Sequence, residues 1–270
     1  MTKHKQAFFR PTNRIAPGIV PKLPHVMIAA LSGDERRDWL HPHLVAAIMK
    51  AGFDPRIRMT YTPIHAIHPV DAARNVAAEE NFLPSNANFL VMFDNDIVPP
   101  MDWLDAVLTM PDDCDILILP YWVWSPKLFT ALCFGRWEDG QMITPEPGTL
   151  KKGWNEGGAG GTGAMIIRRR VFESPKLEKP FFKIISDAYR GQVMSEDVYF
   201  TARCFEAGFK VYTNTNYPCS HHRTIDLKEV NLGIVSLLNE YVSTVKEKYG
   251  DVGIDIDTLT RELHPELIKK

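Results

Sequence analysis

Apolar and polar positions alternate in blocks along the first half of the chain, and these blocks predict strands and helices in turn. Short apolar runs predict buried strands at residues 25–31, 56–61, 88–93 and 115–119. Apolar residues at helical spacing predict amphipathic helices at residues 35–51, 69–83 and 102–110. Strands that alternate with helices favour parallel pairing with helices on both faces of the sheet. The pattern predicts an α/β fold, a three-layer αβα sandwich around a mostly parallel central sheet.

The second half of the chain is less regular. Residues 121–153 are rich in Trp, Pro and Gly and predict loops with a hairpin. Further elements are predicted as a strand at 164–168, a helix at 195–207, a strand at 209–213 and a long amphipathic helix at 226–249. We interpret the chain as an extended arm (1–24), one α/β domain (25–225) and a helical segment that packs on the same domain (226–270).

Composition narrows the classes of function. The 31 basic and 33 acidic side chains give a formal net charge of -2, which excludes a global field that attracts nucleic acid or an anionic membrane. The four cysteines form no Cys-x-x-Cys pair, which argues against a zinc knuckle or a disulfide framework and fits a reducing cytosol. We see no secretory signal in residues 1–14 and no apolar run of about 20 residues. We therefore expect a cytoplasmic protein with no membrane partner.

Two carboxylates directly follow the apolar strand at 88–93, in the sequence Asp94-Asn95-Asp96. In open α/β sheets, ligands bind beyond the carboxyl ends of the strands. Carboxylates at that place can hold a hard cation such as Mg²⁺ or Mn²⁺, which takes phosphate oxygens in its remaining positions. The alternative is a solvated turn, in which Asp and Asn are favoured in any case.

A second acidic pair, Glu196-Asp197, opens the helix predicted after Ser195. A carboxylate held there could accept a proton from an attacking hydroxyl and act as a general base. The alternative is a purely structural role, because acidic residues in the first turn favour the helix dipole and Ser195 is a good N-cap.

Three further groups are candidates with structural alternatives. The glycine-rich run at residues 157–163 could approach a ligand closely or be a mobile connector. Arg74 and Asn75 could hold a diphosphate or lie on an exposed helix face. His221 and His222 follow the last predicted strand, and either imidazole could bind the same cation or be simply exposed.

The order of these motifs resembles that of the GT-A glycosyltransferases, over residues 25–227. It is most similar to the broad inverting family that includes cellulose and chondroitin synthases, and also to stand-alone glycosyltransferase-like proteins of tailed phages. The chain departs from the family pattern in having two adjacent histidines near its end. It also lacks Pro-x-Tyr/Phe after the first strand.

The resemblance implies a role for each motif. Asp94, Asp96 and His221 would bind Mn²⁺ or Mg²⁺, with Asp96 as the more direct ligand. Asp197 would be the catalytic base, with Glu196 beside it. The remaining donor-binding residues would be Arg74, Asn75, Asn95, Gly161, Thr162 and Gly163.

The function implied is transfer of a sugar from a nucleoside diphosphate sugar, a UDP-sugar above all, to an acceptor hydroxyl with inversion. The acceptor is left open between a DNA base and a protein. A phage-type enzyme that modifies a hydroxylated base is one possibility, for which residues 168–170 with Lys176, Lys179 and Lys183 would supply a basic rim. The alternative is that this charge cluster is solvated surface. A nucleotidyltransferase and an inactive module that binds sugar nucleotides are two more possibilities.

Overall fold

The computed structural model describes residues 22–32, 40–125, 129–138, 141–145, 149–187, 192–222, 240–244 and 246–248. The arm predicted up to residue 24 lies almost wholly outside the described residues, as do most of the segment 226–270 and the start of the helix predicted at 35–51. None of the described helices is long and apolar enough to cross a membrane.

The described chain contains short helices and many short strands. The α-helices are α1 (Pro42–Gly52), α2 (Val70–Asn75), α3 (Trp103–Leu108), α4 (Arg169–Phe172) and α5 (Glu196–Glu206), and a π-helical segment (Val76–Phe82) continues α2. The strands of the first half are β1 (His25–Ser32), β2 (Arg58–His65), β3 (Phe89–Asp94), β4 (Ile97–Val98), β5 (Ile116–Ile118), β6 (Trp122–Ser125) and β7 (Phe129–Leu132). The later strands are β8 (Phe134–Glu138), β9 (Gln141–Ile143), β10 (Trp154–Gly157), β11 (Ala159–Gly160), β12 (Ala164–Arg168), β13 (Ile185–Asp187), β14 (Gln192–Met194), β15 (Val211–Asn214) and β16 (Ser220–His221).

Seven strands form the central sheet, in the order β10-β15-β5-β12-β3-β1-β2. β1 pairs in parallel with β2 and β3, and β5 pairs in parallel with β15. β12 is antiparallel to β3 and β5, and β10 is antiparallel to β15. Five of the seven strands therefore run in one direction, and the predicted α/β fold with a mostly parallel sheet is confirmed. The alternating pattern does not predict the reversed strand β12.

Helices cover both faces of this sheet. Adjacent residues in a strand point to opposite faces, and at the end of β3 the Phe93 ring packs edge-on against Trp103 of α3, with ring centroids 5.2 Å apart. The next side chain, Asp94, meets Arg74 of α2 on the other face. The same face as α2 carries a cluster of phenylalanines contributed by the π-helical segment, α4, α5 and a loop: Phe82, Phe172, Phe181, Phe182 and Phe200.

Two regions differ in detail from the sequence prediction. The single helix predicted at 69–83 starts at Val70 and changes to π-helical winding at Val76, so that the Leu83 amide donates to the Ala78 carbonyl. Apolar spacing does not distinguish these two windings over a single turn. The irregular stretch after residue 121 contains the hairpins β6–β7 and β8–β9, as the prediction of loops with a hairpin requires.

The basic run at residues 168–170 is used inside the fold. Arg169 donates to the carbonyls of Phe82, Leu83, Ser85 and Ala87 at 2.6–3.3 Å. Arg168 donates to the carbonyls of Met110, Pro111 and Cys114, and Arg170 pairs with Asp115. Arg168 and Arg169 are therefore engaged largely within the fold, whereas half of the Arg170 side chain is exposed. A basic rim for DNA that also includes Lys176, Lys179 and Lys183 stays a prediction.

We expect Arg169→Met to lower the free energy of unfolding by about 2–4 kcal/mol, because it leaves several carbonyl groups at the end of the π-helical segment without a donor. Chemical denaturation measures this loss. Arg203→Met is the matched control: Arg203 is about one-third exposed and lies 3.9 Å from Glu206, so its loss should stay under about 0.5 kcal/mol. Equal losses in both variants would contradict the role given to Arg169.

Candidate functional site

The Asp-Asn-Asp motif lies at the carboxyl end of β3, where backbone hydrogen bonds fix it to neighbouring strands. The Asp94 amide donates to the Gly163 carbonyl at 3.0 Å, and the Asn95 amide donates to the Leu31 carbonyl at 3.0 Å. The motif is thereby tied to the end of β1 and to the residue that precedes β12. Such a turn holds its side chains in fixed positions at the edge where α/β folds bind ligands.

Arg74 lies between the two acidic motifs and contacts both. Its Nη2 donates to the two carboxylate oxygens of Asp94 at 3.0 and 3.2 Å, and its Nε donates to Glu196 Oε1 at 3.0 Å. The Arg74 side chain is only 3% exposed. Burial alone lowers the pKa of Arg74, but Asp94 and Glu196 raise it above its ordinary value overall, so the guanidinium stays charged.

Asp96 faces His221 instead. The Nε2 atom of His221 lies 3.3 Å from Asp96 Oδ2, and its Nδ1 lies 2.8 Å from the Trp122 carbonyl oxygen. Because a carbonyl only accepts hydrogen bonds, Nδ1 must donate to it, and Nε2 is the ring nitrogen turned toward the carboxylate. His222 donates its amide to the Asp96 carbonyl, and its ring stacks on His41 at 4.1 Å. Of the two histidines, His221 is therefore the one whose side chain contacts Asp96.

Glu196 and Asp197 open α5 and point in different directions. Glu196 is buried and bonded to Arg74, whereas Asp197 is half-buried. The Asp197 Oδ1 atom accepts the Val198 amide at 2.7 Å and a hydrogen bond from the Ser195 hydroxyl. Ser195 occupies the N-cap position but makes no side-chain bond to the backbone of the helix. Its hydroxyl orients Asp197 instead of capping α5.

The glycine-rich run is closely packed against the protein itself. A Cβ atom would lie 2.2 Å from the Tyr121 hydroxyl at Gly161 and 2.4 Å from Ile118 Cδ1 at Gly160. Among the described glycines, positive φ angles occur at Gly153 and Gly208, which lie outside this run. The run belongs partly to β10 and β11, so the alternative of a mobile connector is wrong, and its glycines serve close packing.

Tyr121, an aromatic residue that the sequence offers either for stacking on a sugar or for the core, connects this run to His221. Its hydroxyl accepts the Gly163 amide at 3.1 Å, and its ring meets that of His221 edge-on at 5.5 Å. Burial raises the pKa of Tyr121 well above its ordinary value, so the phenol stays protonated. In the sequence, Tyr121 is recognisable only as an aromatic residue that follows a buried strand. This position is equally typical of a core residue and of a ring that supports a site.

Two further predicted residues, Thr162 and Asn75, are buried and half-buried, respectively. Thr162 is 1% exposed, and its hydroxyl has no hydrogen-bond partner among the described residues. The Asn75 amide group donates to the Phe182 carbonyl at 2.8 Å and accepts the Phe182 amide at 3.0 Å. Asn75 therefore anchors the segment around Phe182, while its neighbour Arg74 faces the acidic motifs.

A cavity of about 210 Å³ opens beside the motif, between the ends of β1 and β2 and the start of α2. Its wall combines apolar side chains with the acidic turn. The lining residues are Leu31, Ser32, Ile67, His68, Val70, Ala73, Asp94, Asn95 and Asp96. The predicted residues Arg74, Asp94 and Glu196, and Asp96 with His221, are thus joined by contacts at one end of the sheet. Of these, the turn at 94–96 lines the cavity.

No protein-family model matches the sequence, and a search of curated proteins found no match. Among solved structures, the chain is similar to protein A197 from STIV, at 18% identity and a TM-score of 0.50, over 74% of this chain and 86% of that one. It is also similar to a mutant of Drosophila beta-1,4-galactosyltransferase 7 solved with manganese, UDP-Gal and xylobiose, at 14% identity and a TM-score of 0.44, over 75% and 72% of the two chains. A third similar structure is GalNAc-T7 with UDP, GalNAc and Mn²⁺, at 11% identity and a TM-score of 0.43, over 77% of this chain and 45% of that one. The likeness to A197 shows a shared fold, from which no activity follows.

We expect Gly161→Ala to destabilise the protein by about 1–3 kcal/mol, because its Cβ atom would overlap the Tyr121 hydroxyl. Tyr121→Phe removes that oxygen, and the nearest ring atom then lies 3.2 Å from the new Cβ. Thermal unfolding of both single variants and the double variant should show that Gly161→Ala costs less when it is combined with Tyr121→Phe. Gly208→Ala is a control for backbone strain, because its Cβ atom would meet no neighbour and only its φ of 87° disfavours alanine. Its effect should not depend on Tyr121→Phe. Purely additive effects of Gly161→Ala and Tyr121→Phe would contradict the contact.

Proposed function

We propose that the chain is a glycosyltransferase of the GT-A type. It transfers a sugar from a nucleoside diphosphate sugar, a UDP-sugar in the first instance, to the hydroxyl group of an acceptor. The observation that carries this proposal is the meeting of Asp94 and Glu196 on the single buried guanidinium of Arg74. Through this contact, two acidic motifs separated by about a hundred residues come together at the carboxyl end of β3, where the first of them lines the cavity.

The donor set beside the cavity fits a divalent cation. Asp96 Oδ2 and His221 Nε2 lie 3.3 Å apart, and the second ring nitrogen of His221 donates to a backbone carbonyl, as is usual for histidines that bind metals. Among the described residues, no group of three or more His, Cys, Asp or Glu side chains is arranged to hold a metal ion. Asp96 and His221 would therefore hold Mn²⁺ or Mg²⁺ together with phosphate oxygens of the donor. When bound, the cation would offset the negative charge on the departing nucleoside diphosphate.

Asp94 has a different place in this arrangement. Both of its carboxylate oxygens accept from Arg74, so they are already engaged within the protein. We assign Asp94 and Asn95 to shaping the turn and the wall of the cavity in which the donor binds. Gly161, Thr162 and Gly163 are buried next to this turn through the bond from Asp94 to Gly163, and we assign them to supporting the turn from behind, without contact to the donor sugar.

Asp197 is the carboxylate we assign as general base. The acceptor oxygen forms a bond to the anomeric carbon as the bond from that carbon to the diphosphate oxygen breaks, and the acceptor proton passes to Asp197. Attack on the face opposite the leaving group gives inversion. The Ser195 hydroxyl and the Val198 amide hold Oδ1 of the carboxylate, and no partner for Oδ2 is found among the described residues. That oxygen is the one placed to accept the proton.

The competing functions receive less support. For a DNA-modifying enzyme, two arginines of the predicted basic rim, Arg168 and Arg169, are bonded to carbonyls within the fold. A nucleotidyltransferase needs a glycine-rich phosphate-binding loop after the first strand, and residues 31–34 contain a single glycine. An inactive sugar-nucleotide module would keep the fold and lack turnover, so slow hydrolysis of a UDP-sugar separates it from an enzyme.

We expect binding of UDP to require Mn²⁺ or Mg²⁺. Asp96→Ala should weaken this binding at least about tenfold, because it removes one of the two side chains, Asp96 and His221, that we propose as metal ligands. Isothermal titration calorimetry with and without the cation measures this. A thermal-shift panel of nucleotide sugars with and without Mn²⁺ identifies the donor, because a ligand that binds only the native state raises apparent stability.

The adjacent histidines supply a matched pair of variants for the same measurement. His221→Gln should weaken cation-dependent binding of UDP by at least about tenfold. His222→Gln should leave it nearly unchanged, because the His222 ring stacks on His41 and not on Asp96. Unchanged affinity in both Asp96→Ala and His221→Gln would sink the assignment of the metal site.

We expect Asp197→Asn to lower kcat by about 10²–10⁴-fold, because asparagine keeps the shape of the side chain and cannot accept the proton. Hydrolysis of the UDP-sugar, with water in place of the acceptor, provides the rate. Affinity for UDP with Mn²⁺ should stay within about twofold, since Asp197 does not hold the donor. Glu206→Gln, at the exposed far end of the same helix, is the control. Normal turnover by Asp197→Asn, or a product that retains the configuration of the donor, would count against this base.

A further inference from the structure

All three guanidinium nitrogens of Arg74 are buried within the protein. Nε and Nη2 are bonded to Glu196 and Asp94, and Nη1 is buried without a hydrogen-bond partner among the described residues. The side chain is 3% exposed. A residue that binds a diphosphate directly has to present N–H groups to the ligand, and Arg74 has none that reach the surface. This geometry disagrees with the donor-binding role that the family resemblance implies.

The same contacts join two separate parts of the site. Asp94 is the last residue of β3 and Glu196 is the first residue of α5. The planar guanidinium group binds both carboxylates at once, with N–O distances of 3.0 Å to Asp94 and to Glu196. A lysine has a single nitrogen at the end of its chain, so it cannot reproduce this two-sided contact in the same geometry.

Arg74 bonds two of the four acidic residues, Asp94 and Glu196, and leaves Asp96 and Asp197 to other contacts. Successive residues of an α-helix point about 100° apart, so the inward direction of Glu196 turns Asp197 toward a different side. Along the turn after β3, Asp94 points to Arg74 while Asp96 points to His221. Asp96 and Asp197 are both half-buried, whereas Glu196 is buried.

We propose that Arg74 is a positioning residue that fixes the start of α5 against the end of β3 and thereby orients Asp197 relative to Asp96, without touching the donor. The orienting part of this proposal rests on the proposed function, in which Asp96 binds the metal and Asp197 is the base. The bridge itself is a property of the fold and can be tested with no ligand.

The first experiment separates positioning from donor binding. In Arg74→Lys and Arg74→Gln, we expect kcat for hydrolysis of the UDP-sugar to fall about 10–100-fold, because a small misplacement of the base slows the reaction. The Kd for UDP with Mn²⁺, measured by calorimetry, should change less than about threefold. A rise in Kd of tenfold or more would overturn the proposal, because it would show contact with the donor. Unchanged kcat and Kd in both variants would overturn it as well.

The second experiment measures the bridge by a double-mutant cycle on stability. We compare the effects of Arg74→Gln, Glu196→Gln and the double variant on the equilibrium constant of unfolding. The double variant should raise this constant at least about tenfold less than the two single effects multiplied together, because either single change already breaks the contact. The exposed pair Arg203 and Glu206, at 3.9 Å, is the control and should give additive effects. Additivity of the Arg74 and Glu196 changes would overturn the bridge.

The two experiments distinguish a failure of this inference from a failure of the proposed function. If UDP does not bind the unaltered protein, the proposed function is contradicted, and the stability cycle still tests the bridge. If Arg74→Gln does not fold, Arg74→Lys takes its place in the cycle, because it keeps the charge and loses one of the two contacts. That cycle is run with Asp94→Asn as well as with Glu196→Gln, because lysine can keep only one of the two contacts, and additivity with both would overturn the bridge.

Discussion

A charged guanidinium group can be buried only where carboxylates lie at hydrogen-bond distance to balance it, and this requirement shapes the end of the molecule that carries the candidate site. Arg74 contacts Asp94 and Glu196 at 3.0 Å and is 3% exposed. Losing either partner would leave N–H groups of the buried guanidinium without an acceptor, so α2, the end of β3 and the start of α5 must adopt one relative position. The directions of Asp96 and Asp197 follow from that position. Geometry at the site is therefore a consequence of charge balance as much as of apolar packing.

Much of the fold could be predicted from the sequence because its signals are local. The apolar runs that become β1, β3 and β12 are buried almost throughout, which is typical of strands covered on both faces. The order of the motifs also indicates that the residues at 94–96, 196–197 and 221 lie near one another. The pairing of non-adjacent strands, above all the antiparallel insertion of β12, could not be predicted, because it depends on contacts distant along the chain.

Within the site, residue type is easier to predict than orientation. The sequence singles out Arg74, but an arginine on an amphipathic helix gives no sign of whether it faces solvent, a ligand or buried carboxylates. The glycine-rich run is ambiguous in a similar way, since glycine permits close approach of a ligand or of the protein's own side chains. Gly161 shows the second case, with the Tyr121 hydroxyl where a Cβ would stand. The basic run at 168–170 is ambiguous as well, because arginine can satisfy several carbonyls at once and charge patterning does not reveal this use.

The position of β12 has a consequence for how the chain folds. β1, β2 and β3 can pair as soon as residues 25–94 are available, because their contacts are comparatively local. The other strands of the central sheet connect to this unit through β12, which pairs with β3 on one edge and with β5 on the other. Closing the sheet therefore requires a loop of about 70 residues between β3 and β12, and contacts of such high sequence separation form slowly. The Asp94 amide bonds to the Gly163 carbonyl directly before β12, so the candidate site can be complete only after this late strand is in place.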